Sequence, residues 1–123
     1  MYIPYARKLL QAFEHTQADM LLLDLEKSRS EFLIEVQEMR SIFAKTLSDL
    51  AEKKFKTIRD KRLLTGQLEK MLIILKEMSG HLRLKKPGHT ADEGHIIFIF
   101  YRQHLFKNIY RRHLSDYVRI TGG

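Results

Sequence analysis

The sequence predicts an all-α protein: an elongated helical bundle of about four helices, forming a single helical domain over residues 1–123. Three observations carry that expectation. From Tyr5 to Thr65 there are sixty-one residues without Gly or Pro, rich in the Leu, Glu, Lys, Ala, Met and Gln that helices favour. Apolar residues recur at steps of three and four through that stretch. Apolar residues make up 44% of the chain, enough for a small core, and only 2 Pro and 6 Gly interrupt it.

The first helix is expected over about residues 5–27. Pro4 suits a first helical turn, where a missing N–H costs nothing. Leu9, Leu10, Phe13, Met20, Leu21, Leu23 and Leu25 form a broad apolar stripe, weakest at His15, Thr16 and Gln17, where a kink could fall. Ser28 and Glu31 make a capping-box pattern, so a second, long helix of about 35 residues is expected over residues 30–64. Its seam reads Phe32, Val36, Met39, Phe43, Thr46 or Leu47, and Leu50, the 3.5-residue period of a coiled-coil-like contact. The same register continues to Lys54, Ile58 and Lys61. A buried unpaired ammonium costs several kcal/mol, so this stretch should reach into water or meet an anionic partner.

Thr65-Gly66 reads as a break. A third helix is expected over residues 67–79, with Leu68, Met71, Leu72, Leu75 and Met78 on one face and Gly80 as a left-handed stop. Residues 80–90 read as a basic loop around Pro87-Gly88. The last helix is expected over residues 91–118, with Phe98, Tyr101, Leu105, Ile109 and Leu114 at helical spacing. The alternative is an α+β fold with a hairpin at residues 81–101. It rests on the alternation His81–Lys85 and the aromatic and β-branched run Ile96–Tyr101.

The net charge of +7 is unevenly spread. Residues 1–50 carry 6 Lys+Arg and 8 Asp+Glu, whereas residues 51–123 carry 16 and 7. A negative first half followed by a strongly positive second half suggests that the second half faces something anionic. Two clusters stand out as candidate partner-binding sites. The first is a basic helix tip of Lys53, Lys54, Lys56, Arg59, Lys61 and Arg62, opposed only by Asp60. The second is a C-terminal segment in which Tyr101, Tyr110 and Tyr117 alternate with Arg102, Lys107, Arg111 and Arg112. Tyr and Arg are enriched at protein–protein hot spots, and they also stack on bases and contact phosphates. A core helix with half-buried tyrosines is the plain alternative for the second cluster, and a solvated tip for the first.

The second cluster contains an internal echo, Phe100–Leu105 and Ile109–Leu114, offset by nine residues. That offset turns an α-helix by about 180°, so the copies should face opposite ways. Ile109-Tyr110-Arg111 resembles the Leu-Tyr-Arg signature of a family of small, basic, helical mitochondrial assembly factors. In that family the motif opens the first helix; here it stands at residues 109–111. Gly122-Gly123 resembles the mature tail of ubiquitin-like modifiers, whose β-grasp fold needs more strands than this sequence offers.

With no Cys, the chain has no disulfide, no thiol nucleophile and no cysteine zinc site. Five of its six His fall between His81 and His113, but none are spaced i, i+4, and they read as scattered surface residues; no metal site and no cofactor are expected. The chain has no Gly-rich phosphate loop and no nucleophile elbow, and Asp19, Asp24, Glu31, Glu35 and Glu38 read as solvated helix faces, so an enzyme is not expected. The longest apolar run, Ile96–Tyr101, falls far short of the roughly 20 residues of a spanning helix. With no secretory signal, an intracellular, cytoplasmic location is expected, the organelle matrix being the alternative. The function expected is that of a non-enzymatic protein–protein interaction module: an adaptor, a chaperone-like partner or a subunit of a larger assembly. Its partner is another protein or a second copy, met through the long helix and residues 96–118. The alternative is a small nucleic-acid-binding regulator or ribonucleoprotein subunit.

Overall fold

The computed structural model describes residues 2–21, 29–52, 54–83 and 99–122, and these form four helices with no strand among them. The first helix, α1, spans Tyr2–Leu21. It starts three residues earlier than expected, which keeps Pro4 in the first turn, where backbone N–H groups have no helical partner. No kink appears at Thr16: its hydroxyl bonds back to the Ala12 carbonyl at 2.8 Å, and Thr16 and Gln17 are buried. Leu9 and Phe13 enter the core as expected, while Leu23 and Leu25 lie outside the described residues.

The second helix, α2, spans Arg29–Ala51, and the seam Phe32, Val36, Met39, Phe43, Thr46, Leu47 and Leu50 is buried throughout. Phe43 meets Phe13 of α1 with ring centroids 4.9 Å apart. The expected 35-residue helix is not formed, and the reason lies in the lysines of its register. Beyond Ala51 a continuing helix would carry Lys54 and Lys61 into the apolar interior. Instead the chain leaves the helix at Glu52, inserts Phe55 at 4% exposure, and leaves Lys54 outside. The Lys54 N–H closes the end of α2 by bonding to the Asp49 carbonyl at 3.0 Å. Thr57 then caps a new helix, its hydroxyl accepting from the Asp60 N–H at 3.1 Å.

That helix, α3, runs without interruption over Ile58–Arg83. The break expected at Thr65-Gly66 and the stop expected at Gly80 are both absent, because Leu64, Leu68, Met71, Leu72, Leu75 and Met78 bury one continuous face. Burial of that face outweighs the intrinsic cost of a mid-helix glycine, about 1 kcal/mol. His81, Leu82 and Arg83 of the expected basic loop are therefore helical, and residues 84–90 lie outside the described residues.

The fourth helix, α4, covers residues 99–121, and residues 91–98 lie outside the described residues. Residues 81–83 and 99–101 are helical, which removes both ends of the alternative hairpin. Within α4, residues His104–Tyr110 form a π-helical stretch, in which the Arg111 N–H bonds to the Phe106 carbonyl, before an α-helical end at Arg111–Thr121. The wider turn corrects one core assignment. Steps of four hold Leu105, Ile109, His113 and Tyr117 on the buried face, and Leu114, expected in the core, is left 37% exposed.

The helices close around one core. α1 packs along both α2 and α3, and α4 packs along α3, while α4 meets α2 mainly through side chains. Glu35 meets Arg102, Thr46 meets His113 and Asp49 meets Tyr117, so residue numbers rise together and α2 and α4 run parallel.

Candidate functional site

The seam between α2 and α4 holds two structures built from polar side chains. One is a buried junction, the other an open cleft.

The junction centres on His113, fully buried where α2, α3 and α4 meet. Its Nδ1 lies 2.8 Å from Gln67 Oε1 on α3, and its Nε2 lies 3.0 Å from Thr46 Oγ1 on α2. An amide oxygen only accepts, so Nδ1 carries the proton in the neutral ring and Nε2 accepts from the Thr46 hydroxyl. That hydroxyl also lies 2.8 Å from the Ile42 carbonyl, toward which it can turn when Nε2 gains a proton. The amide of Gln67 donates to Asp116 Oδ2 at 2.6 Å, and that bond, with Arg119 and Arg112 nearby, holds the Asp116 carboxyl below its ordinary range. Burial depresses His113 to about 4, the Asp116 charge opposing it only in part. One turn on, the Tyr117 hydroxyl donates to the buried Asp49 carboxylate, and burial together with that bond raises the Tyr117 phenol. Lys45 lies above the Tyr117 ring, 5.7 Å from its centre.

Sequence reasoning had His113 among scattered surface histidines and Tyr117 among partner-facing aromatics; the structure places both inside. The available signals were Thr46, which already sat on the seam of α2, and His113 itself, four residues beyond the apolar Ile109. What hid His113 and Tyr117 was the basic segment around them, which reads equally well as surface until α2 and α3 are placed beside it.

The cleft lies toward the other end of the same seam and encloses about 400 Å³. Its α2 wall carries Glu35 and Glu38; its α4 wall carries Ile99, Arg102, Phe106, Lys107, Tyr110 and Arg111. Arg102 is not available to a partner: its Nε and Nη2 grip the two oxygens of Glu35 at 2.8 and 2.5 Å, and Nη2 reaches Glu31 at 3.2 Å. The guanidinium is held even more firmly protonated as a result, Glu35 contributing most. Lys107 and Arg111 are exposed and enter no ion pair among the described residues. Tyr110 is half-buried, and its phenol is raised by burial and by the Glu38 charge. Tyr101, also half-buried, packs against the core.

The two copies of the echo differ in part, for Tyr101 and Tyr110 are both half-buried against the core. Phe100 is 66% exposed where Ile109 is buried, and Leu105 is buried where Leu114 is 37% exposed.

The basic helix tip falls apart as a single helix and reassembles as a surface. Lys53 lies outside the described residues; Lys54 and Lys56 stand in the α2–α3 connection; Arg59, Lys61 and Arg62 open α3. Lys54 is engaged by Glu52 at 2.9 Å and Asp49 at 3.6 Å, and Lys61 is half-buried, leaving Lys56, Arg59 and Arg62 exposed. The bonds from Gln67 to His113 and Asp116 place the start of α3 beside the end of α4, so these cations share one end of the bundle with the exposed Arg112 and Arg119. Arg119 there pairs with Asp116 at 3.3 Å.

Among the described residues no three His, Asp or Glu side chains gather to hold a metal ion, and no helix is long and apolar enough to cross a membrane. The chain matches no protein-family model, no curated protein and no solved structure.

Proposed function

We propose that this chain is a non-enzymatic protein–protein interaction module, an adaptor, chaperone-like partner or assembly subunit, and that it meets its partner along the α2/α4 seam. One observation carries the reading. The cleft sets the exposed Ile99 and the half-buried Tyr110, over a buried Phe106, beside Lys107 and Arg111, cations that form no ion pair among the described residues. Exposed apolar surface rimmed by unpaired charge is what a recognition site needs, because burial supplies affinity and charge supplies selectivity. Phe100, Leu114 and Val118 are further exposed apolar side chains of α4. The test is co-purification from native cells with the wild-type chain and with a Lys107→Glu, Arg111→Glu variant. A stoichiometric protein should accompany the wild type and be lost from the variant at unchanged melting temperature. Equal recovery with both would remove the seam from the reading.

Nucleic acid is the second reading, favoured by the meeting of Lys56, Arg59, Arg62 and Arg112 at one end of the bundle. Phosphate binding releases counterions, so affinity for an oligonucleotide should fall steeply as salt rises, and Arg59→Glu with Arg62→Glu should reduce the slope by about two. A flat salt response, or no binding at about 50 mM salt, would remove it.

A further inference from the structure

The cleft also carries enough chemistry to name the kind of partner it fits, on the premise that the chain is an interaction module. We propose that the α2/α4 cleft seats an amphipathic helix of a partner protein. That helix would place acidic side chains against Lys107 and Arg111 and a basic side chain against Glu38.

The shape argument starts from the bundle. α2 and α4 run parallel and approach each other through long side chains, so their seam is a trough with an apolar floor. Phe106 and Tyr110 pack in an edge arrangement at 6.0 Å between ring centres and line the trough with Ile99. From Ile99 to Arg111 the lining spans about three turns of α4, the His104–Tyr110 π-helical stretch among them. An apolar groove of that length is the setting for helix-in-groove recognition, in which anchors at i, i+3 or i+4 and i+7 enter the groove.

The charge argument selects the class of partner. Arg102 is saturated by Glu35 and Glu31, so it presents little positive field to a ligand. On the α2 side Glu38 adds a carboxylate to the wall, near enough to raise the Tyr110 phenol, whereas Lys107 and Arg111 stand on the α4 side. The cleft is therefore two-sided: Glu38 stands on one wall, Lys107 and Arg111 on the other. A polyanion laid in it would set phosphates beside the Glu38 carboxylate and would leave the apolar lining of Ile99 and Tyr110 without a partner. The same objection holds for an anionic lipid surface. A protein helix can carry opposite charges on its two edges and satisfy both walls at once.

The test uses synthetic helical peptides sharing one leucine face and differing only at its edges. One carries Glu along one edge and Lys along the other, one carries Lys on both, and one carries Glu on both. Titrated against the full chain, the mixed peptide should bind at least about tenfold more tightly than either of the others. Lys107→Glu with Arg111→Glu should weaken the mixed peptide about tenfold and strengthen the all-Lys peptide. Gln103→Trp, at an exposed position in the cleft, should block all three at unchanged melting temperature. Equal affinity for the three peptides, indifference to Gln103→Trp, or displacement of the mixed peptide by a short RNA duplex would overturn the proposal. A photoreactive residue at Gln103 or at Arg59, used in native cells, separates this failure from failure of the interaction module itself. Protein adducts at Arg59 with none at Gln103 would overturn the cleft and leave the module standing. Absence of protein adducts at both would overturn both.

Discussion

His113 is the residue on which the acid stability of the fold turns. Burial holds its pKa near 4 against an ordinary value of about 6.5. The folded state therefore binds fewer protons than the unfolded chain between those two values. Its contribution is fully present above about pH 6.5, falls away as the pH drops toward 4, and amounts to roughly 3 kcal/mol. Urea midpoints at pH 7, 5.5 and 4 should fall in that order, and His113→Leu should flatten the change over that window. A wild-type midpoint constant from pH 7 to 4 would contradict the buried neutral ring. Tyr117→Phe makes a second test at this scale. Losing the hydroxyl leaves the Asp49 carboxylate short of a buried donor, which should cost about 1–3 kcal/mol in urea unfolding at pH 7. Neither role was legible beforehand: a histidine and a tyrosine in a basic segment read equally well as surface residues until the neighbouring helices are placed.

At the scale of elements, the division between α2 and α3 is the decisive departure from expectation. In the register of α2, Lys54 and Lys61 fall at positions where a dry core cannot hold them. The structure resolves that conflict by ending the helix: Lys54 turns outward to pair with Glu52 and Asp49, and Lys61 enters a new helix, half-buried. Thr57 caps the start of α3 through the Asp60 N–H. Thr57→Ala should therefore cost about 1 kcal/mol. Gly66 makes the sharper measurement. It lies in the interior of α3, exposed, and a Cβ built there meets nothing within 4 Å. Gly66→Ala should stabilise the chain by about 0.5–1 kcal/mol, read as a higher urea midpoint. Were Gly66 a helix break, as its residue type alone suggested, the same substitution would gain nothing or destabilise.

For the whole molecule, the parallel α2/α4 seam concentrates what is unusual. It carries the buried His113 junction, the Arg102 clamp and the open cleft. Arg102→Ala removes a partly buried two-pronged contact with Glu35 and should cost about 1–2 kcal/mol. It should also loosen the cleft end of the seam before the His113 end, seen as faster amide exchange in α4 near residue 102 than near residue 113. The charge gradient along the chain likewise becomes spatial. The start of α3 and the end of α4 sit together because the helices are antiparallel neighbours, joined through Gln67.

The all-α class, the buried seam of α2 and the apolar face of α3 follow from periodicity, because 3.6-residue spacing directly determines which side chains share a helix face. Lys107, Tyr110 and Arg111 were likewise legible as a candidate surface, since their chemistry is local to the chain. Three things needed the tertiary structure. The end of α2 depended on whether Phe55 could reach the core. The continuity of α3 through Gly66 depended on burial outweighing a local propensity. The fates of His113, Tyr117 and Arg102 depended on Thr46, Gln67, Asp49 and Glu35, residues 46 to 68 positions away in the chain. Spacing along one helix carries no information about partners on another, and that is where the packing energy of this bundle is decided.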